Sequence, residues 1–132
     1  MTAQVVTITE TKGNKGALET IKWAWTTDSA NGAIVAATAA GAVNKTTFKY
    51  TGMLVKLVTV PTDGPTDNYD LTIIDSNSVD VLCGAGADRD TTATEYVAFS
   101  SLGFVNDSQL SLLIASAGNS KSGVAYLYIM SV

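Results

Sequence analysis

The chain has 132 residues, 46% of them apolar or aromatic and 15% charged, with a net charge of -4. That length holds one domain with a sizeable core and not two ordinary ones, and the composition is that of a folded protein. There is no histidine, and Cys83 is the only cysteine. The chain therefore lacks the usual general base, an internal disulfide, a CxxC redox pair and a thiolate zinc site, and its acidic balance excludes a uniformly basic nucleic-acid footprint.

Met1-Thr2-Ala3-Gln4 shows no basic stretch leading into an apolar run, so no secretory signal is read there, and a soluble, reducing compartment is expected. Eighteen threonines and abundant Val favour strands, because β-branched side chains suit a pleated surface better than a helical turn. The run Lys12-Gly13-Asn14-Lys15-Gly16 reads as the turn between the first two strands. In Ile21, Trp23 and Trp25 the large apolar residues share one parity, with Thr20, Lys22 and Thr26 on the other, which predicts a strand with one buried face. Ser29 to Asn44 is uncharged and mainly apolar but diluted by Thr, Asn and Gly, and falls short of the roughly 20 apolar residues of a membrane helix.

Met53 to Val60 is apolar on both parities except at Lys56, which predicts a central strand covered on both faces. Pro61 and Pro65 fall in the stretch Val60 to Asn68, read as a loop. Tyr69, Leu71 and Ile73 alternate with Asp70 and Thr72. Asp75-Ser76-Asn77-Ser78 reads as a tight hairpin into a strand Val79–Cys83, with Cys83 a small buried side chain. Ala85 to Thr94 has room for one short helical turn. Leu110, Leu112 and Ile114 repeat the two-residue beat, Gly118 to Gly123 makes a turn, and Val124, Tyr126, Tyr128 and Met130 continue the beat. About eight or nine short strands spaced by such turns, without a 3.6-residue stripe, predict a single all-β domain: an antiparallel β-sandwich, jelly-roll-like. Lys22, Lys49 and Lys56 are candidate guards of exposed strand edges.

Charge is unevenly divided. Met1 to Thr62 carries six lysines against Glu10, Glu19 and Asp28, whereas Asp63 to Asp107 carries nine acids against Arg89 alone. Opposite signs within one small domain suit head-to-tail contact between copies; two solvated faces of different charge are the plainer reading.

Gly84-Ala85-Gly86-Ala87-Asp88-Arg89-Asp90 has glycine spacing that could cradle an ion or a phosphate. Arg89 occupies the third glycine position of a dinucleotide fingerprint, and Cys83 replaces the first glycine of a calcium-binding GGxGxD repeat of which only one copy is present. A tight loop in which glycine relieves the backbone and Asp88 caps a turn accounts for it better. Seven of the nine aspartates lie between Asp63 and Asp90. Their setting lacks the EF-hand glycine and distal Glu, so solvated loop carboxylates are expected and neither a metal nor another cofactor is assigned. A carboxylate pair for glycoside hydrolysis has little room for a cleft in so short a chain. Trp23 and Trp25 are core residues by parity, or a sugar platform if that face is open.

The stretch Pro65-Thr66-Asp67-Asn68-Tyr69-Asp70-Leu71-Thr72-Ile73-Ile74-Asp75, followed by Val79-Asp80-Val81-Leu82-Cys83-Gly84-Ala85-Gly86-Ala87-Asp88-Arg89-Asp90-Thr91, resembles a segment of small virion proteins of tailed bacteriophages. Ala117-Gly118-Asn119-Ser120-Lys121-Ser122-Gly123 with the aromatic strand after it is similar too. The likeness covers a little over a third of the chain, and Cys83-Gly84 stands where the family pattern has Gly-Gly. It implies a non-enzymatic head decoration, or cement, protein with no catalytic residue. Such a protein is made in the bacterial cytoplasm and bound to the major capsid protein on the head surface as a homo-oligomer, a trimer favoured, without nucleic-acid or membrane partners. A neck or tail component, or a carbohydrate-binding module on the virion, are the alternatives. Tyr69, Asp70, Asp88, Arg89 and Asp90 are the expected interface residues.

Overall fold

The computed structural model describes residues 4–13, 16–30, 32–35, 44–65 and 68–132. Asn14, Lys15, Thr66, Asp67 and the run 36–43 lie outside them. Eight strands follow in order: β1 (Val5–Thr11), β2 (Leu18–Thr26), β3 (Tyr50–Asp63), β4 (Asp70–Ile74), β5 (Glu95–Ala98), β6 (Phe104–Ser108), β7 (Ser111–Ala115) and β8 (Ser122–Ser131). The one helical element among the described residues is a 3-10 turn at Phe99–Ser101, just beyond the segment where the sequence had room for one. All ladders are antiparallel. The large sheet runs β1-β2-β8-β3, with β5 and β6 sharing the far edge of β3, and β4 pairs β7 in a small second sheet.

The two sheets close on one core, which makes the all-β, sandwich-like fold. Ile21, Trp23 and Trp25 of β2 point inward as their parity predicts, and Tyr69, Leu71, Ile73, Leu112 and Ile114 meet them from the small sheet's side. The Trp25 and Tyr69 rings touch across the seam with centroids 5.4 Å apart and planes tilted by 58°, an edge-tilted arrangement that favours aromatic pairs. Trp23 Nε1 donates to the Asn44 carbonyl at 3.1 Å, and Asn44 Nδ2 donates to Leu112 O at 2.6 Å, so the indole N–H is satisfied within the core. Both edges of the small sheet are bonded to flanking segments. Ile34 and Asn44 bond to β7, and Val81, Gly86 and Arg89 bond to β4 or to Tyr69 just before it.

Several sequence expectations change. In β8 the inward residues are Gly123, Ala125, Leu127 and Ile129, all buried, so Val124, Tyr126, Tyr128 and Met130 form the outer face. β3 is central but is covered on one face only. Its double apolar parity comes from a β-bulge: Leu54 opposes Ile129 and Lys56 opposes Tyr128, leaving Val55 as the extra residue. That single residue shifts the phase, so that Leu54 and Leu57 both reach the core although three positions apart. β3 also runs through Pro61, which pairs only with β8 because β5 has ended at the level of Thr59. Beyond the Asp75–Val79 reversal only the bridge Ile74 to Asp80 is strand-like; Val81 onward turns instead of forming a strand, and Cys83 is exposed at φ 53°. Lys22 and Lys56 lie on interior strands, paired on both sides, so they guard no edge.

Candidate functional site

Four of the five expected interface residues meet at one corner, where Asp88 is exposed and Asp70, Arg89 and Asp90 are half-buried. The Arg89 N–H donates to Tyr69 O at 2.7 Å, and the Asp88 N–H donates to Asp70 Oδ1 at 3.0 Å. Arg89 reaches Glu95 at 3.7 Å, and Glu95 Oε1 accepts the Asp90 N–H at 2.6 Å. Asp90 Oδ1 accepts the backbone N–H groups of Thr92 and Ala93 at 2.7 and 2.8 Å. These donors, with the Thr92 hydroxyl, hold the Asp90 carboxyl below its usual value. Tyr69 is the exception: its side chain is buried in the core against Trp25, and burial pushes its phenol up. It offers no surface to a neighbour, because the alternation that places Asp70 outward places Tyr69 inward.

The carboxylates here work on their own backbone. Asp80 accepts N–H groups from Leu82 and Gly84 at 3.0 and 2.9 Å, and Asp75 accepts those of Asn77 and Val79 at 2.8 and 3.1 Å. Asp80, not Asp88, is thus the side chain that caps the glycine loop. Gly86 lies so close beneath the Leu71 carbonyl that a Cβ would collide with it, which is why the loop needs glycine there. Among the described residues no three His, Cys, Asp or Glu side chains converge as metal ligands. A hollow of about 630 Å³ borders Lys45, Lys49, Asp75 and Gln109; its one carboxylate is the turn-capping Asp75, so it holds no carboxylate pair. Trp23 and Trp25 are buried and form no sugar platform.

The feature the sequence reading missed is the outer face of the large sheet, which no second layer covers among the described residues. Strand registers line its side chains into transverse rows. One row is Leu18, Met130, Met53 and Phe104, respectively 51%, 37%, 44% and 53% exposed. The next is Thr20, Tyr128, Lys56 and Ala98; the third is Lys22, Tyr126, Val58 and Tyr96. Tyr96 and Phe99 stand out at 66% and 60% exposure. Between them the Val55 bulge opens a groove of about 400 Å³, bordered by Lys56, Tyr96, Ala98 and Phe99. Lone exposed apolar residues are ordinary, but a contiguous row of four large ones, continuous with tyrosines, is the signature of a contact surface. The signal available in the sequence was the doubled apolar character of β8, where Tyr126, Tyr128 and Met130 alternate with Leu127 and Ile129.

The charges on this face are cationic and held over rings. Lys56 Nζ lies 4.5 Å from the Tyr96 ring centre and Lys22 Nζ 5.7 Å from that of Tyr126. Among the described residues carboxylates come in only at the margins, with Asp63 beside Ser122 and the Asp107 N–H bonded to the Thr51 hydroxyl. The acids Asp70, Asp75, Asp80, Asp88 and Asp90 sit instead on the small sheet and the loop beside it. The molecule therefore has a lysine-aromatic side and a side on which these five aspartates outnumber Lys45, Lys49 and Arg89. Comparison with protein-family models, characterised proteins and solved structures finds no match for the chain.

Proposed function

We propose that this chain is a structural subunit of a tailed-phage particle, a non-enzymatic head decoration protein that binds the major capsid protein as a homo-oligomer, a trimer favoured. The observation that carries the reading is the exposed row Leu18, Met130, Met53 and Phe104 on an uncovered sheet face. A monomer in water gains nothing from that row, whereas a subunit that buries it on assembly does. The likeness of the Pro65–Asp75 and Val79–Thr91 segments to phage virion proteins supplies the kind of assembly. A lattice of many copies also makes small, individually weak contacts sufficient. The corner of Asp70, Asp88, Arg89 and Asp90 serves as a second contact.

The test is the composition of particles from cells carrying the coding sequence. Peptide mass spectrometry of purified particles should find the chain in many copies, and a cryo-electron microscopy reconstruction should place it at the lattice axes of the head. A single ring at the neck or tail would move the subunit within the particle; absence from particles would refute the proposal.

A further inference from the structure

We infer that the outer face of the large sheet docks the acidic layer of a second copy of this chain, in a head-to-tail contact that closes into a ring. The inference rests on the self-assembling reading above and adds which surface meets which. Three observations converge. The face is about the right size: nine- and ten-residue strands β2 and β8, at about 3.4 Å per residue and five strand positions about 4.8 Å apart, span roughly 700 Å². A stable interface takes about 800 Å² from each partner. Its chemistry is apolar at the row through Met53 and cationic at Lys22 and Lys56, with acids, among the described residues, only at its margins. The complementary surface is on the same chain: on the small-sheet side Asp70, Asp75, Asp80, Asp88 and Asp90 outnumber Lys45, Lys49 and Arg89.

Face-to-face pairing of two such sheets would set the lysines of one copy against those of the other. Contact between unlike sides removes that repulsion and brings each lysine to a carboxylate. Because the two patches differ, the contact is heterologous, so an open chain keeps one unsatisfied patch at each end until a ring closes.

Light scattering after size exclusion tests this on the full chain. The wild type should run as a closed oligomer that loosens with salt. Met53→Glu/Lys56→Glu should be monomeric alone, with near-UV circular dichroism unchanged because both sites are exposed; Phe104→Ser, on the edge strand β6, gives an independent copy of the same defect. Asp75→Asn/Asp88→Asn keeps the turn-capping oxygen and the left-handed residue, and should associate at least tenfold more weakly at low salt. The decisive mixture is the face variant with wild type. Its acidic layer is intact, so it should dock on a wild-type face and break rings into open pairs of twice 13.7 kDa. No engagement in that mixture would mean face-to-face pairing and would overturn the inference, as would unweakened association of the Asp variant. A monomeric wild type would also overturn it and assign the face to another shell protein. The virion reading would still stand, because particle composition decides that separately.

Discussion

Deleting Val55 should leave the fold intact, whereas deleting Tyr126 should destroy it. Val55 is the residue by which β3 exceeds β8 between the Leu54–Ile129 and Lys56–Tyr128 pairs. Without it the ladder becomes regular, Leu54 and Leu57 still face inward, and Lys56 still faces outward. The losses are part of one half-buried valine side chain, on the order of 1 kcal/mol, and an approach of β5 and β6 along the far edge of β3 by about 3.4 Å. A total near 1–2 kcal/mol follows. Tyr126 lies where β8 is in unbroken register with β2 from Leu18–Met130 to Thr26–Ser122. Its deletion turns one half of β8 over. If the C-terminal half turns, Leu127 and Ile129 leave the core at about 1.5–3 kcal/mol each. If the other half turns, Ser122 takes the place of Gly123 against Trp25, where even a Cβ is too close, and Val124 takes that of Ala125 opposite Trp23. Either outcome consumes much of the roughly 5–15 kcal/mol that holds a domain of this size. Urea unfolding followed by the fluorescence of the buried Trp23 and Trp25 reads both variants. Equal losses in the two, or a cooperative transition near the wild-type midpoint for the Tyr126 deletion, would refute the bulge assignment.

Gly86→Ala should lower stability by about 1–3 kcal/mol, because the new methyl meets the Leu71 carbonyl and strains the Leu71 N–H to Gly86 O bond; an unchanged melting temperature would contradict this. Lys12→Met should cost about 2–3 kcal/mol, since it strands the fully buried Glu19 carboxylate that Lys12 pairs at 3.1 Å. The double variant Lys12→Met/Glu19→Leu should recover most of that loss in the same denaturation assay. Burial, and then the hydrogen bond to Glu10, raise the Tyr50 phenol above its ordinary 10.0. The raised group stabilises the fold below pH 10 and stops doing so as pH climbs beyond it. Alkaline unfolding should therefore be shallower for Tyr50→Phe than for the wild type; matching alkaline limbs would remove Tyr50 as the cause.

The strands with one dominant apolar parity were legible: Ile21-Trp23-Trp25, Tyr69-Leu71-Ile73 and Leu110-Leu112-Ile114 all point inward, because in each the opposite parity is more polar and only one register buries the large residues. β8 and β3 were not, and for different reasons. In β8 the aromatic parity is bulkier than the Ala125-Leu127-Ile129 parity, yet Gly123 and Ala125 are the residues that fit opposite Trp25 and Trp23, so space and not size decides which side is core. In β3 a bulge changes phase midway, which no fixed-period pattern can represent. Cys83 reads as a strand end from its apolar neighbours Val81 and Leu82, but Asp80 captures the Leu82 and Gly84 amides and converts the run into turns. The interface set was legible for Asp70, Asp88, Arg89 and Asp90 as a cluster. The sheet face was hidden because its rows exist only once five strand positions lie side by side.

The position of β8 governs how the protein can be built. It lies between β2 and β3 in space, yet the 14-residue β3 and four further strands are synthesised before it. A ribosome-bound chain that has not reached Ser122 holds two long half-sheets, each with an open ladder edge and nothing to join them. Such intermediates are liable to insert a β8 from a sibling chain, so exchange of that strand between polysomal neighbours is the misassembly route this topology leaves open.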